Sequence, residues 1–280
     1  MTWTQAHIPW NDFKPDQVNP TIVPIVKTAA LIEANSASYV AYLQNVFSAE
    51  RNIKKAIDVW GQQEYQHGLT LGRWAALADP SFSFFHSLDF FRKGYQIPAY
   101  EAGSTRGSPV GELLARCVVE AGTTSFYTAL YEQTSEPCLK QICLLIAQDE
   151  RSHYRLFRAL TAKYYHTEYD AMPIWDKIKT VVGRATETDD DEIAYAYYSA
   201  HDRHLHSGEV PYDREKCSKL YFSRIYRLYQ KKHIELLVRL MVQAIGNTPN
   251  SPATTVCSTL TWGMWSLKKY ASWSLNHQPR

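Results

Sequence analysis

One pattern occurs twice in this chain and sharply limits what it can fold into. Glu33 is followed about thirty residues later by Glu64-Tyr65-Gln66-His67, and Glu120 is followed at a similar interval by Glu150-Arg151-Ser152-His153. Positions three apart on an α-helix share a face, so each E-x-x-H offers a carboxylate and an imidazole to one point. The lone Glu lies one leg earlier in a helical hairpin, where an antiparallel neighbour can aim at the same point. The repeat reads as one helical hairpin used twice, and it predicts an all-α fold.

Four carboxylates and two histidines converging inside a four-helix bundle form the ligand set of di-iron and di-manganese carboxylate proteins. The flanking residues are in phase with that reading. Leu139, Ile142, Cys143, Ile146, Glu150, His153, Phe157 and Leu160 keep the 3-4 spacing of a buried stripe, as do Ile57, Trp60, Glu64, His67, Leu71 and Trp74. Leu113, Cys117, Glu120, Thr124, Tyr127 and Tyr131 put the second lone Glu on a core face. Val26, Ala30, Glu33, Ala37, Val40 and Phe47 do the same for the first. A buried carboxylate without a partner costs several kcal/mol, and two divalent cations would cancel four negative charges. The competing reading is a set of buried ion pairs and chance motifs. One E-x-x-H arises by accident in a chain of this composition; two, each with a core-facing Glu at matching distance, are much harder to obtain that way. Glu33, Glu64, His67, Glu120, Glu150 and His153 are therefore the candidate metal ligands.

At 280 residues the chain exceeds a minimal bundle and can bury a sizeable core. Its hydrophobic share of 45% and charged share of 21% are those of a globular protein rather than a disordered one. A net charge of +2 says little about partners, and no nucleic-acid partner is expected. The five cysteines, at 117, 138, 143, 217 and 257, are an odd set without a C-x-x-C, as expected of reduced thiols in a cytoplasmic protein. The first residues lack a basic and apolar signal pattern, and no stretch is apolar enough for a membrane span.

Along the chain, residues 1 to 20 hold three prolines with Trp3 and Trp10 and read as an arm packing onto a bundle. The bundle occupies 21 to 170. Its helices are expected over about 20–47, 48–77, 109–133 and 136–165, with Ser135 as a plausible N-cap and Pro137 in the first turn of the fourth. A crossover containing the aromatic segment 81–92 joins the hairpins. Residues 171 to 280 supply additional helices packing on the bundle, the clearest over about 212–245 with the stripe Phe222, Tyr226, Tyr229, His233, Leu236 and Leu240. Lys216, Arg224, Arg227, Lys231 and Lys232 lie on its other side, as a solvated face or as a docking surface for an acidic partner. His233 reads as a core histidine, and His201, His204 and His206 as a surface segment. The stretch from Asn250 supports no assignment.

Carboxylates with imidazoles suit iron(II) or manganese(II). Here a resemblance enters. Ile142-Cys143-Leu144-Leu145-Ile146-Ala147-Gln148-Asp149-Glu150-Arg151-Ser152-His153 resembles the I-C-x-x-I-A-x-D-E-x-x-H helix of soluble acyl-carrier-protein desaturases. Trp60 to Gly68 resembles their first E-x-x-H helix, and Glu120-Ala121-Gly122-Thr123 their E-x-x-T. The resemblance covers about residues 25 to 165 and implies a ferritin-like four-helix bundle with a di-metal carboxylate site and extra C-terminal helices. It implies two iron ions, or a manganese-iron pair, held by the six ligands. Asp149 would orient a histidine and Thr123 would help deliver protons; a surface Asp and a packing Thr are the plain alternatives. The implied activity is oxygen-activating desaturation or hydroxylation of an apolar small-molecule or carrier-linked acyl substrate. An external ferredoxin or reductase would supply electrons, and the implied assembly is a homodimer. Related arylamine N-oxygenases carry a seventh ligand His where this chain has Ile146, which weighs against that alternative. A ferroxidase or iron-storage role is the other alternative; the chain's length and aromatic richness favour the enzyme.

Overall fold

The computed structural model describes residues 3–97, 103–187, 191–205 and 210–275. Among them the chain forms twelve α-helices and no strand. It divides into two compact units. The first is Met1–Gly103 with Thr134–Leu145 and Thr188–Tyr221, and the second is Ser104–Gln133 with Ile146–Glu187 and Phe222–Arg280.

The first unit opens with three 3-10 turns, Gln5–His7, Trp10–Asp12 and Pro15–Gln17. Closely spaced prolines deny this segment the backbone donors a longer helix needs. It then contains α1 (Val23–Ala34), α2 (Ser36–Val46), α3 (Arg51–Ala78) and α4 (Phe84–Gly94). Ten of the twelve α1 residues are buried, so this helix is enclosed on every side rather than along one stripe. It packs against α3 and against α9 (Asp191–Leu205).

The expected helix over 20–47 is two helices. Asn35, at φ −82° and ψ 9°, ends α1 and caps α2, and the Ser36 hydroxyl donates to the Gly61 carbonyl at 2.9 Å. The break lets the chain step closely over α3. A Cβ on Gly61 would lie 2.1 Å from Val40 Cγ2, and one on Gly68 would lie 2.4 Å from the Ala34 backbone nitrogen. It also ends the phase of the stripe read from the sequence: Val26, Ala30 and Glu33 are buried, but Ala37 is exposed. The aromatic segment after Asp79-Pro80 is a helix, α4, which buries Phe84, Leu88 and Phe91 at i, i+4 and i+7.

The long helix α6 (Pro137–Tyr164) starts in the first unit. Pro137 is its first helical residue, so the cap is Glu136 rather than the expected Ser135. The buried Glu136 carboxylate accepts the backbone N–H of Cys138 at 3.2 Å and of Leu139 at 2.8 Å, together with the Trp74 indole N–H at 2.7 Å and the Lys14 N–H at 3.2 Å. Two of the donors that a helix start leaves open are thereby closed, and the N-terminal arm is tied to α3 through the same side chain.

The second unit contains α5 (Pro109–Gln133), the remainder of α6, α7 (His166–Ala171), α8 (Ile174–Thr186), α11 (Lys231–Ala244) and α12 (Pro252–Leu275). α10 (Arg214–Leu228) belongs partly to each unit. α5 packs on α8 and α11, and α11 packs on α12. The Tyr154 and Tyr169 hydroxyls donate to the Leu240 and Ala244 carbonyls at 2.7 and 2.6 Å, and Ser125 donates to the His233 carbonyl at 2.8 Å.

The single helix expected over 212–245 is broken at Tyr229-Gln230, where Gln230 is extended and caps α11. His233 Nδ1 accepts the Gln230 N–H at 3.0 Å while Nε2 meets Glu132 at 2.7 Å. His233 is thus a satisfied core histidine. Lys231 and Lys232 lie on α11, each more than half exposed, and pair with Glu235 and Glu132, as residues of a solvated face do. His201 stacks on Tyr197 and bonds its carbonyl at 2.9 Å. His206 and the side chain of His204 lie outside the described residues. No helix among the described residues is long and apolar enough to cross a membrane.

Candidate metal centre

In the first unit, α1 supplies Glu33 and α3 supplies Glu64 and His67. All three are buried, with His67 fully enclosed. The close approach at Gly68 presses α3 onto the end of α1 and so brings His67 beside Glu33. His67 Nδ1 lies 3.7 Å from a Glu33 oxygen and 3.7 Å from a Glu64 oxygen.

The second unit repeats the arrangement with α5 and α6. Glu120, Glu150 and His153 are buried, and His153 Nδ1 lies 3.5 Å from Glu120 and 3.8 Å from Glu150. The same imidazole nitrogen faces two carboxylates in each triad, and in each the three donors lie within 4.8 Å of one another.

These separations suit an ion better than a proton. The histidine–carboxylate distances are at or beyond the outer limit of a hydrogen bond. Two bonds of about 2.1 Å meeting at an angle of about 110–130° set their donors about 3.4–3.8 Å apart. One hard divalent cation per triad would balance two buried carboxylates beside a neutral imidazole. These buried carboxylate and histidine groups can therefore hold metal, and the residues fit the group that the ligand pattern implies.

No model of a known protein family matches the chain, and no curated protein matches it.

Around the second triad, Thr123 on α5 donates its hydroxyl to the second carboxylate oxygen of Glu150 and also lies within reach of the Val119 and Glu120 carbonyls. It therefore touches a candidate ligand directly. Asp149 is half-buried next to Glu150. The buried Cys117 and Cys143 thiols are pushed well up by burial, reinforced at Cys117 by Glu120. They stay protonated and do not compete as thiolate ligands. All the cysteines are free, and only Cys257 is exposed.

One neighbour of the first triad escaped sequence reasoning. Trp3, from the N-terminal arm, stacks on the His67 ring at 5.8 Å between centroids and 5° between planes, and its carbonyl accepts the Gln66 side-chain N–H at 2.8 Å. Composition marked the arm as packed, but no local spacing tells which of eight tryptophans meets a ligand histidine. The glycines at 61, 68 and 72 carry a weak signal: three on one helix, each where a neighbour comes too close for a methyl group.

Proposed function

We propose that each triad holds one divalent metal ion and that the chain is a ferritin-like di-metal carboxylate oxidoreductase, which activates oxygen to desaturate or hydroxylate an apolar substrate. The observation that carries this reading is the repetition itself. Two buried sets, each built from a lone Glu and an E-x-x-H, present the same imidazole nitrogen to two carboxylates at 3.5–3.8 Å. Burying four carboxylates in two such sets concentrates negative charge away from water, and divalent cations would offset it. Oxygen-rich donors with one imidazole each favour iron or manganese over softer metals.

Bound and reduced, a pair of iron ions supplies electrons for the reduction of dioxygen. The chain's own residues do the rest. Glu33, Glu64 and His67 hold one ion, and Glu120, Glu150 and His153 hold the other. Thr123 fixes one oxygen of Glu150 and offers a hydroxyl proton beside it. Asp149 orients a ligand histidine, the service such neighbours generally provide. Desaturation removes two hydrogen atoms from adjacent carbons. Together with two electrons from a ferredoxin or reductase and two protons, they convert one dioxygen to two waters.

The test is metal analysis of the purified protein followed by oxygen-uptake assays of the reduced form with carrier-linked acyl chains, free fatty acids or ferrous iron. Two ions per chain, and double-bond or hydroxyl formation in step with oxygen uptake, support the enzyme. Growth of an iron mineral core without organic product supports storage instead. Glu64→Ala and His153→Ala should each lose metal and oxygen uptake while keeping their helical circular dichroism; full activity in either removes the proposed site.

A further inference from the structure

The last helix is built inside out. α12 turns Thr254 and Ser258 into the protein and lays Trp265 against Tyr226 and Tyr229, at 4.9 and 4.8 Å between ring centroids. Its opposite side carries Val256, Leu260, Met264, Leu267 and Tyr270, each 58–72% exposed. At 100° per residue these five, with Ala253, Gly263 and Ala271 between them, fill one arc of about 120° free of any charged side chain. A soluble surface helix ordinarily has the reverse orientation.

We propose that this arc is the face through which two copies of the chain pair, α12 against α12 in antiparallel orientation about a two-fold axis at Gly263. Three observations select a second copy. The seam Val256, Leu260, Gly263, Leu267, Tyr270 runs 4-3-4-3, the spacing of a helix–helix contact. It is nearly symmetric about Gly263, so it can complement itself as a two-fold interface must: Leu260 meets Leu267 of the other copy and Val256 meets Tyr270. Gly263 has open space where a side chain would be, allowing the axes to approach at the centre. The exposed parts of the five large side chains amount to roughly 600 Å² per copy, or about 1,200 Å² for the pair, the lower bound of a stable protein interface.

The antiparallel sense follows from the same symmetry: a two-fold axis crossing the helix at Gly263 pairs Leu260 with Leu267 and Val256 with Tyr270, whereas parallel helices would stack each large residue on its own copy. A lipid surface is the weaker occupant. An interfacial helix carries tryptophan on its buried face and cations along its edges, whereas Trp265 faces the protein and Lys268 is the only lysine beside the arc.

This inference is independent of the metal reading. Light scattering across a concentration series should give twice the chain mass for the wild type and the chain mass for Leu260→Glu or Leu267→Glu, with unchanged circular dichroism and metal content. Gly263→Cys should form an intermolecular disulfide on mild oxidation, while the native Cys257, about 18 Å from its counterpart in the antiparallel arrangement, should not. A wild-type protein monomeric at all concentrations overturns the proposal, as does a dimer indifferent to both glutamate variants. Cross-linking through Cys257 but not through Gly263→Cys overturns the antiparallel sense. Stripe-dependent sedimentation with anionic vesicles by an otherwise monomeric protein assigns the face to lipid and overturns it too.

Discussion

Gly68→Ala tests whether the glycine contact between α1 and α3 sets the first triad. A methyl group at Gly68 would sit 2.4 Å from the Ala34 backbone nitrogen and 2.7 Å from its Cα. Non-bonded heavy atoms settle at about 3.5 Å, so α1 must retreat by about 1 Å, since backbone atoms cannot rotate out of the way. Overpacking of this kind costs about 1–3 kcal/mol, which lowers the melting temperature of a chain this long by roughly 2–12 °C. Glu33 immediately precedes Ala34, so the retreat carries its carboxylate away from His67, while a metal bond tolerates only about 0.2 Å. Gly72→Ala is the control: its methyl group would meet the Phe84 ring at 2.4 Å, with comparable crowding, but Phe84 belongs to α4, which holds no candidate ligand. Anaerobic titration with cobalt(II) or iron(II), paired with calorimetric melting, separates the two effects. Gly68→Ala should weaken one of the two binding events by about 10–100-fold, and Gly72→Ala should melt earlier yet bind both ions as the wild type does. Equal metal affinity in the two variants would refute the claim that this contact positions Glu33.

Glu136→Ala should cost about 3 kcal/mol in urea denaturation, the sum of a lost helix cap and a buried Trp74 N–H left without its acceptor, with Glu136→Gln recovering part of it. At Asp79, burial raises the carboxyl, but hydrogen bonds from Lys27 and Ser81 outweigh it and hold it at about 2. A depressed folded-state value means that this pair's stabilisation is present above the unfolded value near 4 and is lost as pH falls toward 2. Acid titration followed by circular dichroism should therefore show a loss in that window that Asp79→Asn lacks. Thr123→Val removes the hydroxyl on Glu150; metal content should stay at the wild-type level while oxygen uptake with substrate falls about 100-fold, and Thr123→Ser should restore it. Unchanged uptake in Thr123→Val makes this residue a packing threonine.

The parts of the fold that were legible in the sequence are those where an apolar stripe carries a fixed period. Leu139 to Leu160 on α6 and Ile57 to Trp74 on α3 are buried at every position the spacing named, and the four ligands within those stripes are buried with them. Where a helix breaks, the period stops informing. Asn35-Ser36 looks like ordinary helix interior, because Asn and Ser disfavour a helix only mildly and their use at a break depends on Gly61 lying beneath them. The same holds at Gln230, where the break is stabilised by His233, three residues on and already placed on the core face for another reason. Long-range partners left no trace at all: Trp3 on His67 and Glu136 under Trp74 join residues about sixty apart in sequence, and neither pair has a local signature. α12 shows the limit most clearly. Its 3-4 periodicity is weaker than that of α3, with Trp, Thr and Ser spread around the helix; a period in any case says only that one face is apolar, and the step from apolar to inward assumes that the chain alone must cover it. With Thr254 and Ser258 turned in and Leu260 and Leu267 turned out, that assumption would choose the wrong side, and the side that faces solvent is the one on which the pairing of two copies rests.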